Sequence, residues 1–225
     1  FDLTNPACFE WVKSIIKEKL TQKAGLSGWM SDYGEYLPLD AALHSEEDPA
    51  KIHNIYPVLF AKANYEAIQE LGLENEVTFF SRAGFTGTSK YSPLIWAGDQ
   101  VVSWDRQNGI GSVIPAALSL GMCGIGYHHS DIGGFINLKR VTRSKELLLR
   151  WTELCAFSIL MRSHEGLQPE ENWQLDSDEE TLTHLARMTQ IHVILKPYLQ
   201  HCAQEYQKSG IPVIRAPVLY FSKDP

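Results

Sequence analysis

Two aspartates stand in glycine-flanked segments that follow a tryptophan: Asp32 in GWMSDYGEYLP and Asp99 in LIWAGDQ. Two carboxylates in one pocket can divide acid/base labour, one ionised as nucleophile or base and the other kept protonated by its surroundings as acid. Cleavage of a glycosidic bond uses that division, with aromatic rings to stack on sugar faces. Each aspartate alone also has a structural reading, since Asp caps helices and hydrogen-bonds turns. A second constellation, His128, His129 and Asp131 with His164 further on, raises metal-assisted hydrolysis instead. Adjacent histidines on a strand point to opposite faces, so only one of the first pair can face a common metal. The spacing matches neither HExxH nor the other zinc patterns, and the expectation is no metal.

Residues so far apart in sequence need a scaffold that gathers loops. Asn5 can cap a helix with Pro6 at its first position, and 6–23 carries Phe9, Val12, Ile15, Ile16 and Leu20 near a period of 3.6 before Gly25 ends it. An apolar stretch at 26–30 follows. Helical 55–71 precedes strand-like 77–80, and strand-like 92–97 precedes helical 109–120. Strand-like 124–129 is followed by helical 145–160, and helical 181–210 by strand-like 211–216. This alternation predicts an α/β fold, a parallel sheet with helices packed outside.

Polar residues collect just after the strand candidates: Asp32 and Glu35, then Arg82, then Asp99 and Gln100, then His128, His129 and Asp131. In a (β/α)8 barrel the loops at the strand C-termini build the active site, because side chains from neighbouring strands converge there. Five strand candidates make an incomplete barrel of this kind.

Composition narrows the partners. The 225 residues are 44% hydrophobic and 21% charged, with 20 Lys and Arg against 27 Asp and Glu and a net charge of −7. That excludes intrinsic disorder and argues against a general phosphate-binding surface, so nucleic acid and anionic membranes are not expected partners. The longest apolar run, 113–127, contains Pro115 and is too short for the roughly 20 residues of a spanning helix. Cys8, Cys123, Cys155 and Cys202 lack CxxC spacing, which favours buried free thiols in a reducing, cytoplasmic compartment. No repeat or linker divides the chain.

With these motifs in view, the sequence resembles glycoside hydrolase family 31, the α-glucosidase and α-xylosidase family, and within it looks most like the sulfoquinovosidase branch. Family members carry Asp-x-x-Glu after barrel strand four, matched here by Asp32-Tyr33-Gly34-Glu35. They carry Trp-x-Gly-Asp after strand six, matched by Trp96-Ala97-Gly98-Asp99, with Gln100 following. An Arg on strand five is matched by Arg82 in FFSRAG, and an Asp-Ile-x-Gly-[FY] segment after strand seven by Asp131-Ile132-Gly133-Gly134-Phe135. Arg162-Ser163-His164 falls where members place a substrate-binding histidine. By this alignment residues 1–225 cover about strands 4 to 8 of a (β/α)8 catalytic domain. The N-terminal β-sandwich, the early strands and the C-terminal β-domains lie outside the chain, so the piece alone is expected to be inactive.

The resemblance implies a retaining α-glycosidase without cofactor, acting on a small carbohydrate substrate. Asp32 would attack the anomeric carbon and form a glycosyl ester while Asp99 protonates the leaving oxygen. With the charge of Asp32 then gone, Asp99, as a carboxylate, would activate water. Retaining geometry places the two carboxyl groups about 5 to 5.5 Å apart. Arg82 would stand beside the carboxylates and bond a sugar hydroxyl, and Asp131 and His164 would bind ring hydroxyls. Trp96, Phe135 and Gln100 are further substrate-binding candidates, Glu35 would orient the nucleophile loop, and Trp29 is a supporting residue that with Trp96 offers a stacking surface, although tryptophan beside a strand end is more often core packing.

In the branch the sulfonate clamp comes largely from an Arg, a Trp and a Gln on early strands, and a Tyr stands at the position of Phe135. Phenylalanine lacks the hydroxyl donor, and one charge-assisted bond is worth about 1.5 to 3 kcal/mol of discrimination. The expected substrate is an α-sulfoquinovoside, the alternative a neutral α-glucoside. From other classes, the alternatives are a metal-dependent barrel hydrolase and a non-catalytic sugar-binding homologue; retention of both carboxylates argues against the latter.

Overall fold

Asn5 opens the first helix as expected: its side chain accepts the Ala7 N–H at 2.9 Å, and Pro6, whose missing N–H costs nothing there, stands at the first position of α1 (Pro6–Ile15). The computed structural model of the chain describes residues 1–92, 94–137 and 141–223. It divides into two units, Phe1–Ile95 and Trp96–Pro225.

In the first unit the helix widens after α1 into π-type turns over Ile16–Lys23, where the Thr21 hydroxyl donates to the Ile16 carbonyl at 3.2 Å. Strand β1 (Gly28–Ser31) follows, then the short α2 (Pro49–Ile52), α3 (Tyr56–Glu70), β2 (Thr78–Ser81) and β3 (Leu94–Trp96), inside which the chain passes to the second unit. β1 and β2 are parallel, with Gly28 opposite Thr78 and Ser31 opposite Ser81; β2 and β3 pair in parallel at Ser81 and Ile95. A Cβ on Gly28 would lie 2.9 Å from the Thr78 carbonyl oxygen, so glycine lets the strands approach. α3 is the crossover of this βαβ unit. Ala63 and Ala67 let it sit close to Val12 and Ile16, while Ala61 and Ile68 pack on Phe79 of β2. Each fully buried aliphatic or aromatic side chain of that size contributes about 1.5–3 kcal/mol.

In the second unit α4 (Val113–Met122) precedes β4 (Tyr127–His129), and the Ala97 N–H donates to the His129 carbonyl at 2.9 Å. β5 (Asp131–Ile132) and β6 (Arg162–Ser163) pair in parallel, Asp131 opposite Arg162, with α5 (Lys145–Cys155) as their crossover. Ser144 caps α5 through the Leu147 N–H, and Leu147, Leu148, Trp151 and Cys155 of its buried face meet Val102, Val113 and Ile132. The helices α6 (Glu179–Ile194) and α7 (Lys196–Ser209) close the unit.

Three sequence expectations shift. The helix expected over 181–210 is broken at Leu195, because Pro197 has no N–H for the helical ladder. The helix expected to reach 160 stops at Cys155, whose carbonyl is taken by the Ser158 hydroxyl at 2.7 Å. The segment 211–216 is not a strand: Pro212 cannot donate, although the neighbouring Val213 N–H donates to the Gly126 carbonyl at 3.0 Å. No helix among the described residues is long and apolar enough to cross a membrane.

Candidate active site

The site residues fall into two groups, each inside one unit. In the first, the register of β1 against β2 does the positioning. Ser31 lies opposite Ser81, so the next residues, Asp32 and Arg82, leave the sheet side by side at the strand C-termini. Arg82 Nη1 reaches Asp32 Oδ1 at 2.9 Å, Nε donates to Glu35 Oε1 at 2.8 Å and Nη2 meets the same oxygen at 2.7 Å. Glu35 can turn back to the guanidinium because Tyr33 (φ 66°) and Gly34 (φ 101°) take left-handed backbone. The same turn brings the Tyr33 N–H to Asp32 Oδ1 at 2.6 Å.

The rings of Tyr33 and Tyr36 lie 4.8 and 5.9 Å from the Arg82 guanidinium carbon, covering the cation with aromatic faces. A cavity of about 330 Å³ opens beside Asp32, lined also by Tyr33, Tyr36, Leu37 and Phe60; small-ligand clefts begin at about that size. Trp29 lines, with Asp32 and Phe60, a neighbouring cavity of about 210 Å³; its Nε1 donates to Asn64 Oδ1 at 2.7 Å and its ring stacks 6.3 Å from Phe79.

In the second unit β3 ends at Trp96, and Gly98 (φ 74°) turns the chain so that Asp99 is half-buried. Trp96 is buried, with the Arg162 guanidinium carbon 6.0 Å from its ring. Gln100 is buried and its amide nitrogen is spent within its own loop, on the Gly109 carbonyl at 3.1 Å and the Ser112 hydroxyl at 2.6 Å. Its main-chain carbonyl accepts from Phe135 and Ile136. These bonds make Gln100 a brace between two loops.

Asp131 and Arg162, opposite each other across β5 and β6, form an ion pair. Arg162 Nε donates to His129 Nε2 at 3.4 Å, so the neutral imidazole carries its proton on Nδ1. Burial first, then the charges of Arg162 and His128, pull His129 down to about pKa 3; burial alone takes His128 to about 4. His164 is half-buried; its Nδ1 accepts the Gly166 N–H at 3.0 Å, which puts the proton on Nε2. The Phe135 ring meets His164 edge to face, centroids 4.8 Å apart at 68°.

Sequence reasoning did not anticipate the Tyr33 and Tyr36 faces on Arg82, although aromatics three residues apart around the Asp-x-x-Glu segment were a usable signal. Nor did it pair Arg162 with Asp131. Among the described residues no group of three or more His, Cys, Asp or Glu side chains is placed to hold a metal ion. All four cysteines are free, but only Cys155 and Cys202 are buried as expected, Cys8 being half-buried and Cys123 exposed; burial pushes the Cys155 thiol up to about 11.

A family model described as the glycosyl hydrolases family 31 TIM-barrel domain matches residues 1–202. The sulfoquinovosidase of Escherichia coli (strain K12) is 51% identical over 99% of this chain and 33% of that protein. The sulfoquinovosidase of Agrobacterium fabrum is 47% identical over 100% of this chain and 34% of that protein. A family 31 sulfoquinovosidase from E. rectale, solved in complex with the aza-sugar inhibitor IFGSQ, superposes with a TM-score of 0.96 at 48% identity, covering 99% of this chain and 33% of that one. The chain thus spans about a third of the length of these relatives.

Proposed function

This chain belongs to glycoside hydrolase family 31, as part of its α/β TIM-barrel domain, and from that premise we propose that the protein is a retaining α-glycosidase that hydrolyses α-sulfoquinovosides. The substrate reading is supported by two sulfoquinovosidases at 51% and 47% identity. The mechanistic reading is carried by one observation, the Arg82 guanidinium bridging Asp32 and Glu35 where β1 and β2 end.

Asp32 is the nucleophile. Both bonds to its carboxylate, from Arg82 and from the Tyr33 N–H, go to Oδ1, which leaves Oδ2 to attack the anomeric carbon. The bond from that carbon to the leaving oxygen breaks as the ester forms, and Asp99 transfers its proton to the leaving oxygen. Asp99, then a carboxylate, takes a proton from water, whose oxygen attacks the anomeric carbon and releases Asp32. Arg82 fixes Oδ1 throughout, with Glu35 and the two tyrosine rings fixing Arg82. Asp131, held by Arg162, accepts from a sugar hydroxyl, and His164 donates Nε2–H to another. Trp96 backs Arg162, and Gln100 acts through the loop it braces.

A neutral α-glucoside is the second reading, favoured by Phe135, which brings no hydroxyl donor and packs on His164 instead. Rates of the full-length protein on aryl α-sulfoquinovoside and aryl α-glucoside, measured side by side, separate the two. A kcat/KM higher on the sulfosugar supports the first reading; preference for the glucoside overturns it.

A further inference from the structure

Arg143 is 2% exposed. Buried guanidinium groups are ordinarily matched by carboxylates, yet burial is the sole influence on its pKa, which falls to about 10. Its N–H groups go to main-chain carbonyls and an amide: Nε to Trp173 O at 2.8 Å, Nη1 to His164 O at 2.7 Å, and Nη2 to Glu165 O at 3.2 Å and Gln174 Oε1 at 2.8 Å. The Arg143 N–H donates to Asn172 Oδ1 at 2.9 Å, and Asn172 Nδ2 in turn donates to Glu165 O at 3.3 Å.

Two glycines make room for this arrangement. A Cβ on Gly133 would lie 2.6 Å from Arg143 Cδ and Nη1, so the arginine stem crosses the segment between Asp131 and Phe135. A Cβ on Gly166, at φ +93°, would lie 2.2 Å from Asn172 Nδ2. Gly166 is the residue whose N–H holds His164 Nδ1. One guanidinium and one amide therefore fix the turn that fixes the imidazole.

We propose that Arg143, seconded by Asn172, is a positioning residue that holds the His164 ring in its orientation and its Nε2–H form. The inference rests on the sugar-binding reading of His164 and names what that reading requires of the turn. A planar fork reaches three carbonyls at once; a lysine ammonium is a point charge on a flexible stem and cannot hold the same geometry. Once the turn relaxes, the Gly166 N–H releases Nδ1 and the ring swings.

The test is a double-mutant cycle in the full-length protein, Arg143→Lys against His164→Ala, read as kcat/KM on whichever aryl α-glycoside it turns over faster. Exchange of the Gly166 amide and the 15N signature of His164 are followed alongside. Arg143→Lys is expected to lower kcat/KM by up to about a hundredfold in the native background and by less than about twofold once His164 is alanine. Gly166 amide exchange should rise by about tenfold.

Equal losses in both backgrounds, or an unchanged Gly166 amide, overturn the positioning role. A His164→Ala enzyme at the native rate sinks the sugar-binding reading alone, since amide exchange and the 15N signature still judge the turn. Asn172→Ala, which cuts the other support of the same turn, gives a second cycle with the same expected outcomes if Arg143→Lys does not fold.

Discussion

Acidification should weaken this fold through two adjacent histidines. His128 and His129 on β4 are 3% and 1% exposed, and their pKa values are lowered from 6.5 to about 4 and about 3, burial being the first cause for each. A histidine whose folded pKa lies below its unfolded value stays neutral in the native state while the unfolded chain takes up a proton. Stability is therefore complete above about pH 6.5 and is lost as pH falls towards the folded pKa. Between pH 7.5 and 5 the unfolded chain takes up nearly one proton per histidine and the native state almost none, so each residue loses about 2 kcal/mol. The pair loses about 4 kcal/mol, a large share of the roughly 5–15 kcal/mol that holds a domain.

The assay is urea unfolding of the full-length protein at pH 7.5 and pH 5, with His128→Phe run in parallel so that other titrating groups cancel. The native protein should lose about 2 kcal/mol more than the variant over that interval. Identical pH dependence in the two proteins would refute the buried, neutral state of His128.

Asp32→Asn in the full-length protein should lose at least about a thousandfold in turnover, with unfolding still cooperative; near-normal turnover sinks the nucleophile assignment. For Asp99→Ala, aryl substrates with good leaving groups should still form the glycosyl-enzyme while alkyl glycosides, which need protonation, do not. Equal loss on both, read by mass spectrometry of the trapped ester, argues against the acid role. Gly133→Ala should cost about 2–5 kcal/mol in unfolding free energy, from left-handed backbone and overpacking together, because φ is +89° and the new methyl would lie 2.6 Å from Arg143. A variant as stable as the native protein would show that Arg143 can move aside.

The fold was legible where local signals agreed and no tertiary choice intervened. α1 had its cap, its proline and its apolar stripe in one stretch, and α3 and β2 lie within a residue or two of where periodicity put them. The failures share a cause, a backbone donor or acceptor whose fate is settled elsewhere. Apolar content marked 211–216 as a strand, but strand formation needs a ladder, and Pro212 interrupts one. The end of α5 depends on where the Ser158 hydroxyl turns, which no period records.

For the site, residue type was legible and direction was not. Asp32 and Arg82 follow directly on residues paired across two strands, so a motif at a strand end was enough to place them together. Gln100 also follows a strand, yet its amide nitrogen points into its own loop, at Gly109 and Ser112. Arg143 carried no sequence signal because three of its side-chain partners are main-chain carbonyls, which every residue owns. A charge pair leaves a trace in the types of two residues, as Arg162 and Asp131 do. A guanidinium bonded to carbonyls leaves a trace only in what must be small around it. Gly133, over which the Arg143 stem passes, and Gly166, over which Asn172 lies, are that trace, and both flank residues on which sugar recognition is proposed to depend.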